Sequence, residues 1–211
     1  MSICGQLHDL VSRLPEHSFL FDPARIPANG IYVVFEEGEV GHGGKRIVRV
    51  GTHTGEGQLR SRIKQHFLVE NKDRSIFRKN IGRALLTRDA DAFLTDWELD
   101  LTSAAARAEH GARIDQTTYQ SIENQVSEYM QENLTFAVLP VAEKDDRLTL
   151  ESRIISTVAA CEECQASAHW LGQYSPKEKI CTSGLWLVNE LYKTPLDPAD
   201  LSSLRLLAEP E

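Results

Sequence analysis

Apolar positions recur at helical spacing over residues 4–14, where Leu7, Leu10, Val11 and Leu14 predict a short leading helix. Pro15, Pro23 and Pro27 then break the chain into a loop. Asn29-Gly30 signals a turn, and the β-branched and aromatic run Ile31-Tyr-Val-Val-Phe35 has the length of a strand. Residues 36–45, rich in glycine and acid, read as a hairpin-like loop into a second strand, Arg46–Gly51. A helix follows over about 58–68, with Leu59, Ile63 and Phe67 forming one apolar stripe. Arg62 and His66, also four apart, share a neighbouring face. Ser75 is placed to cap a helix over 75–86 whose buried side holds Ile76, Phe77, Ile81, Ala84 and Leu85.

Signals weaken over 89–115, where Phe93, Leu94, Trp97 and Leu99 predict a short helix or strand. A helix over 119–132 and a strand over 133–141 come next. Asp145-Asp146 can open a last long helix, to about Ala160, since carboxylates suit a helix N-terminus. Its inner face is Leu148, Ile154, Ile155 and Val158. Glu151 falls inside that stripe, where a carboxylate is costly unless it is paired or holds a cation. No repeat of fixed period runs through the chain.

Composition changes this picture at one place. The 211 residues are 41% hydrophobic and 26% charged, ordinary for a soluble globular protein and too apolar for a disordered one. No apolar run reaches membrane-spanning length, and the start has no secretory pattern, so the expected setting is cytoplasmic, with Cys4, Cys161, Cys164 and Cys181 reduced. The net charge of −8 is unevenly spread. Residues 60–88 carry nine Lys or Arg against Glu70 and Asp73, while the other 182 residues carry 14 basic and 29 acidic side chains. A concentrated basic segment on an acidic body points to a local polyanion site; the alternative is a solvated basic helix pair with no ligand.

Three groups carry candidate chemistry. Glu151 offers the hard oxygen donors that Mg²⁺ takes one or two at a time, or else pairs with a neighbour such as Arg147. Arg62 and His66 combine a fork for phosphate charge with a proton carrier near neutral pH. Tyr32 places a phenol at a strand start, where its plainer use is to fill the core.

In order, Gly30-Ile31-Tyr32, a strand ending Val50-Gly51, a helix with Arg62-x-x-x-His66 and a later strand-then-helix with Glu151 resemble the GIY-YIG nuclease family. The resemblance covers about 29–88 and 133–160. It implies an α/β fold with a small three-stranded antiparallel sheet flanked by helices, and hydrolysis of DNA phosphodiesters with Mg²⁺ or Mn²⁺. It also implies that Glu151 holds the metal, Tyr32 orients or deprotonates the attacking water, Arg62 stabilises the charged phosphate and His66 assists. Within the basic segment Arg60, Lys64, Arg74, Arg78 and Lys79 are the candidate DNA contacts. The expected division is an N-terminal helix and loop (1–28), a nuclease domain (29–165) with an insertion at about 89–132, and a C-terminal extension (166–211).

Three departures accompany the likeness. Arg49 stands where the family's second tyrosine would be; it is no base, but it can hold phosphate or pair with Glu151, and His53 could supply part of the lost function. The loop at 36–45 lengthens the gap between the two motifs. No asparagine clearly matches one that some members carry, His169 and Asn189 being loose candidates. The nearest branches are bacterial or restriction-associated ones, and the alternative to an active enzyme is a catalytically impaired DNA-binding module of the same fold. Separately, Cys161-x2-Cys164 with His169 and Cys181 could form a tetrahedral zinc site, although the spacing matches no compact zinc knuckle.

Overall fold

The strands of the sheet are buried on both faces, which is why Ile31–Phe35 reads as an unbroken apolar run rather than an alternation. The computed structural model describes residues 1–208, so the last three residues of the expected 166–211 extension lie outside them. Four strands, β1 (Glu16–His17), β2 (Ile31–Gly41), β3 (Gly44–Gly51) and β4 (Leu134–Leu139), form one antiparallel sheet in the order β1-β4-β2-β3. The three longer strands are those expected, and the two-residue β1 adds an outer edge.

Nine α-helices cover the sheet among the described residues: α1 (Ile3–Val11), α2 (Leu59–Phe67), α3 (Ile76–Arg88), α4 (Leu94–Trp97), α5 (Ala104–His110), α6 (Gln116–Asn133), α7 (Lys144–Ala159), α8 (Glu178–Ser183) and α9 (Pro198–Ala208). Apolar residues of α2, α3 and α6 pack with Tyr32, Val34, Trp170 and Trp186 against one face. Those of α1, α7 and α9 pack with Ile31, Val33 and Phe35 against the other. Residues 116–133 and 170–186 thus line the main core, where α6, Trp170, Leu171, Ile180 and Trp186 join the apolar residues of α2 and α3. No helix among the described residues is long and apolar enough to cross a membrane.

The structure corrects three local expectations. Residues 36–45 are not a loop: β2 runs on to Gly41 and β3 begins at Gly44, leaving only His42-Gly43 as a two-residue turn, both at positive φ (53° and 78°). Ile76 is exposed rather than buried, since it occupies the first position after the Ser75 cap and points off the packed side. On α7, Leu150 rather than Leu148 is fully buried, with Arg147 beside it.

The β2–β3 pairing departs from regular register twice, and the break beside Val34 shapes the site. Val34 pairs with Arg49, but Phe35 pairs with Ile47, so Val48 is an extra residue on β3. Strict alternation would send Val48 and Arg49 to opposite faces. The bulge instead puts Val48 in the α2–α3 core and lays Arg49 on Phe77 of that same core. Trp186 closes the edge, its N–H donating to the Val48 carbonyl at 2.8 Å and its own carbonyl accepting from Arg49 Nη1 at 2.6 Å.

Candidate active site

Tyr32 enters the site because β2 starts beside two glycines. A β-carbon on Gly30 would collide with the Leu139 carbonyl, so only glycine lets β4 approach there. Gly51, which pairs with Tyr32 across the ladder, lies under the phenol ring, and a β-carbon there would occupy the place of the Tyr32 hydroxyl. The two motif glycines therefore seat the tyrosine.

The Tyr32 hydroxyl is 2.8 Å from His66 Nε2, and His66 Nδ1 is 2.7 Å from Ser75 Oγ. Ser75 Oγ also accepts from the Arg78 backbone N–H at 3.2 Å as the cap of α3. Burial holds His66 well below the ordinary histidine pKa, with the Arg49, Arg62 and Arg78 cations adding to the effect. His66 is accordingly neutral near pH 7, with one ring nitrogen donating and the other accepting. That makes Tyr32–His66–Ser75 a continuous polar chain in which a proton can shift one way or the other. Ser75 was legible only as a helix cap; its second use depends on α2 and α3 meeting at that point.

Glu151 approaches from α7 on the other face of the sheet, past the β3 edge at Thr52. Burial raises its pKa above the usual carboxylate value, against the opposing pull of Arg49, the Thr52 backbone N–H and Arg62; Glu190 reinforces the rise. Glu151 makes no direct ion pair among the described residues. Arg147, its expected partner, turns inward to the carbonyls of Val141 and Ala142. Arg49 and Arg62 influence both His66 and Glu151, so both cations lie in the neighbourhood of the polar chain and of the carboxylate. Arg49 is buried with its guanidinium 4.5 Å from the Phe77 ring centroid and its Nε without a partner. Arg62 is half-buried and lines a polar cleft of about 340 Å³ with Thr52, His53, Thr54, Gln58, Ser61 and Gln65. The cleft reaches within one residue of Gly51, while Tyr32 and His66 themselves lie beneath the surface.

The remaining candidates fall elsewhere. His53 borders the cleft, but its Nδ1 donates to the Gly55 carbonyl at 2.6 Å and its Nε2 accepts a long contact from the Gly30 N–H, so it braces the turn after β3. Arg60, Lys64 and Arg74 are exposed. Arg78 is fully buried against Glu123 and cannot reach a surface ligand, and Lys79 donates to the Glu98 carbonyl. Lys72 and Arg83 also turn inward, so the basic segment serves the core more than its composition implied. Asn189 and His169 are exposed. Cys181 faces the carbonyls of Gly172, Gln173 and Ser175, so the Cys161/Cys164/His169/Cys181 set is not brought together.

A family model described as GIY-YIG domain matches residues 4–210. No curated protein and no solved structure gives a match.

Proposed function

The chain belongs to the GIY-YIG domain family, and on that premise we propose that it is a divalent-metal-dependent endonuclease hydrolysing DNA phosphodiester bonds. The observation that carries the reading is the Tyr32–His66 hydrogen bond together with Glu151, a half-buried carboxylate that makes no ion pair among the described residues and feels the same Arg49 and Arg62 cations. Half-burial and the lack of a direct cation leave the Glu151 oxygens as donors, and Mg²⁺ or Mn²⁺ commonly takes only one or two carboxylates beside a phosphate. Glu151 would hold that ion, which when bound supplies Lewis-acid stabilisation of the phosphate.

The protein's own groups divide the remaining work. Arg62, at the cleft wall, meets the phosphate and stabilises charge growing on it. Arg49 contributes a fixed cation, held flat on Phe77 and anchored by the Trp186 carbonyl. Tyr32 orients the attacking water, or takes its proton while giving its own to Nε2 of neutral His66, which becomes imidazolium; Ser75 holds the ring through Nδ1. Arg60, Lys64 and Arg74, being solvent-facing, guide the DNA backbone toward the cleft. A restriction role would gain support from a methyltransferase encoded beside this chain.

One observation favours the second reading, a DNA-binding module without catalysis: the phenol is only 1% exposed while a buried arginine fills the second tyrosine's place. Incubation of supercoiled plasmid with the purified chain and Mg²⁺ or Mn²⁺ separates the two. Nicked and linear products that disappear in Glu151→Gln support the enzyme. Salt-sensitive retardation of DNA without any product under either metal supports the module.

A further inference from the structure

Across the sheet from Tyr32, a second cluster of chemically capable side chains meets in a different core. Cys4 and His8 lie one turn apart on α1, His42 forms the β2–β3 turn, and Cys164 lies just beyond α7. One ligand atom from each of the four lies within 4.8 Å of the others. Cys4 Sγ is 3.5 Å from Cys164 Sγ, and Cys164 Sγ is 3.7 Å from His8 Nε2. Sulfur and nitrogen donors around a tetrahedral ion stand roughly 3.3–3.8 Å apart, given the usual zinc bond lengths. Those two pairs therefore already have the separation an ion would impose.

The imidazoles are oriented for the same task. His8 Nδ1 donates to the Cys4 carbonyl at 2.9 Å, which leaves Nε2 facing Cys164 Sγ and a long 3.4 Å contact from the Ile47 N–H. His42 Nδ1 faces the Glu163 carboxylate at 3.4 Å, and its Nε2 is 3.3 Å from Cys161 Sγ. A carbonyl or carboxylate behind the ring is the outer partner that metal-bound histidines use. The turn holds His42 at φ 53°, a conformation histidine tolerates, with its ring centroid 4.9 Å from that of His8. A cavity lined by Gly5, His8 and His42 opens a path to the cluster.

We propose that Cys4, His8, His42 and Cys164 bind one zinc ion as a closed, structural site, with Cys161 as the neighbour of His42. Two thiolates and two imidazoles select zinc over Mg²⁺, and four protein ligands leave no position for substrate. The site is separate from Glu151 and does not depend on the nuclease reading. It ties α1, the hairpin tip and the end of α7 together, three segments more than a hundred residues apart at their extremes.

Metal analysis of the full chain, purified without chelator, should find one zinc per chain and four titratable thiols after denaturation with chelator. Cobalt exchanged into the site should show tetrahedral visible bands and sulfur-to-metal charge transfer. Cys4→Ser/Cys164→Ser should lose the zinc, and Cys181→Ser should keep it. The proposal is overturned by a metal-free chain with four free thiols, by a Cys4–Cys164 disulfide, or by undiminished zinc in the folded double variant. If that variant does not fold, the cobalt spectrum decides, and absence of sulfur charge transfer counts against the site.

Discussion

The Tyr32 hydroxyl and His66 Nε2 stand 2.8 Å apart with almost no access to bulk water. A phenol held this way is fixed in direction toward the imidazole, and the pair acts as a unit. Tyr32→Phe keeps the ring over Gly51 and removes only the oxygen, so the fold should persist while plasmid cleavage falls about 10²-fold or more. Equal cleavage rates for Tyr32→Phe and wild type, at matched metal concentration, would remove Tyr32 from the chemistry.

Acid should weaken the fold through His66. Its native pKa is depressed, chiefly by burial, so below about pH 6.5 the unfolded chain takes a proton that the native chain refuses. The stability this site contributes is complete above that pH and is lost as pH falls, by up to about 1.4 kcal/mol per pH unit. Urea titrations between pH 7 and 5 should show a shallower decline for His66→Gln than for wild type.

Acid should weaken metal binding as well, through Glu151. Its carboxyl is held above the ordinary range, mainly by burial, so metal must displace a proton at mildly acidic pH. Apparent Mg²⁺ affinity, followed by calorimetry, should rise with pH and level off once the free carboxyl is ionised. Glu151→Gln should flatten that dependence.

Arg49 places function above stability. Its buried Nε has no partner, and a buried charge is often replaced by an apolar side chain at little cost. Arg49→Met should melt at or above the wild-type temperature yet cleave DNA at least tenfold more slowly. A variant that melts much lower would mean that the Trp186 and Phe77 contacts anchor the edge strand instead.

Arg78 belongs to the opposite class. Removing it strands Glu123 in the core, so Arg78→Ala should lose about 3–5 kcal/mol in denaturant unfolding. DNA retardation by the remaining folded protein should be unchanged, whereas Lys64→Ala should weaken it and reduce its salt dependence.

Periodicity located α2, α3 and α7 because their apolar stripes are local, and α3 also has its Ser75 cap beside it. It missed the extension of β2 because Glu36 and Glu39 look like loop residues until their partners are known. Glu36 accepts from the indoles of Trp170 and Trp186, at 2.9 and 2.8 Å, and Glu39 from Arg46 and Ser167. Those partners lie mostly more than a hundred residues away, beyond any sequence window. The basic segment misled for the same reason, since Glu123 neutralises Arg78 from 45 residues downstream. Tyr32, Arg62, His66 and Glu151 could be named from spacing and resemblance, but the Ser75 link and the seat of Arg49 required the tertiary packing.

The bulge at Val48 makes the position of Arg49 a matter of counting. Pairing Val48 rather than Arg49 with Val34 would restore regular alternation along β3, set Arg49 opposite Val33 and carry the guanidinium through the sheet to the α1–α7 side. Every side chain of the site would still be encoded, in the same order, and the site would nonetheless lack its central cation. Register at this strand therefore counts as much as any residue in the motif, because the same sequence paired one residue over would present a different site.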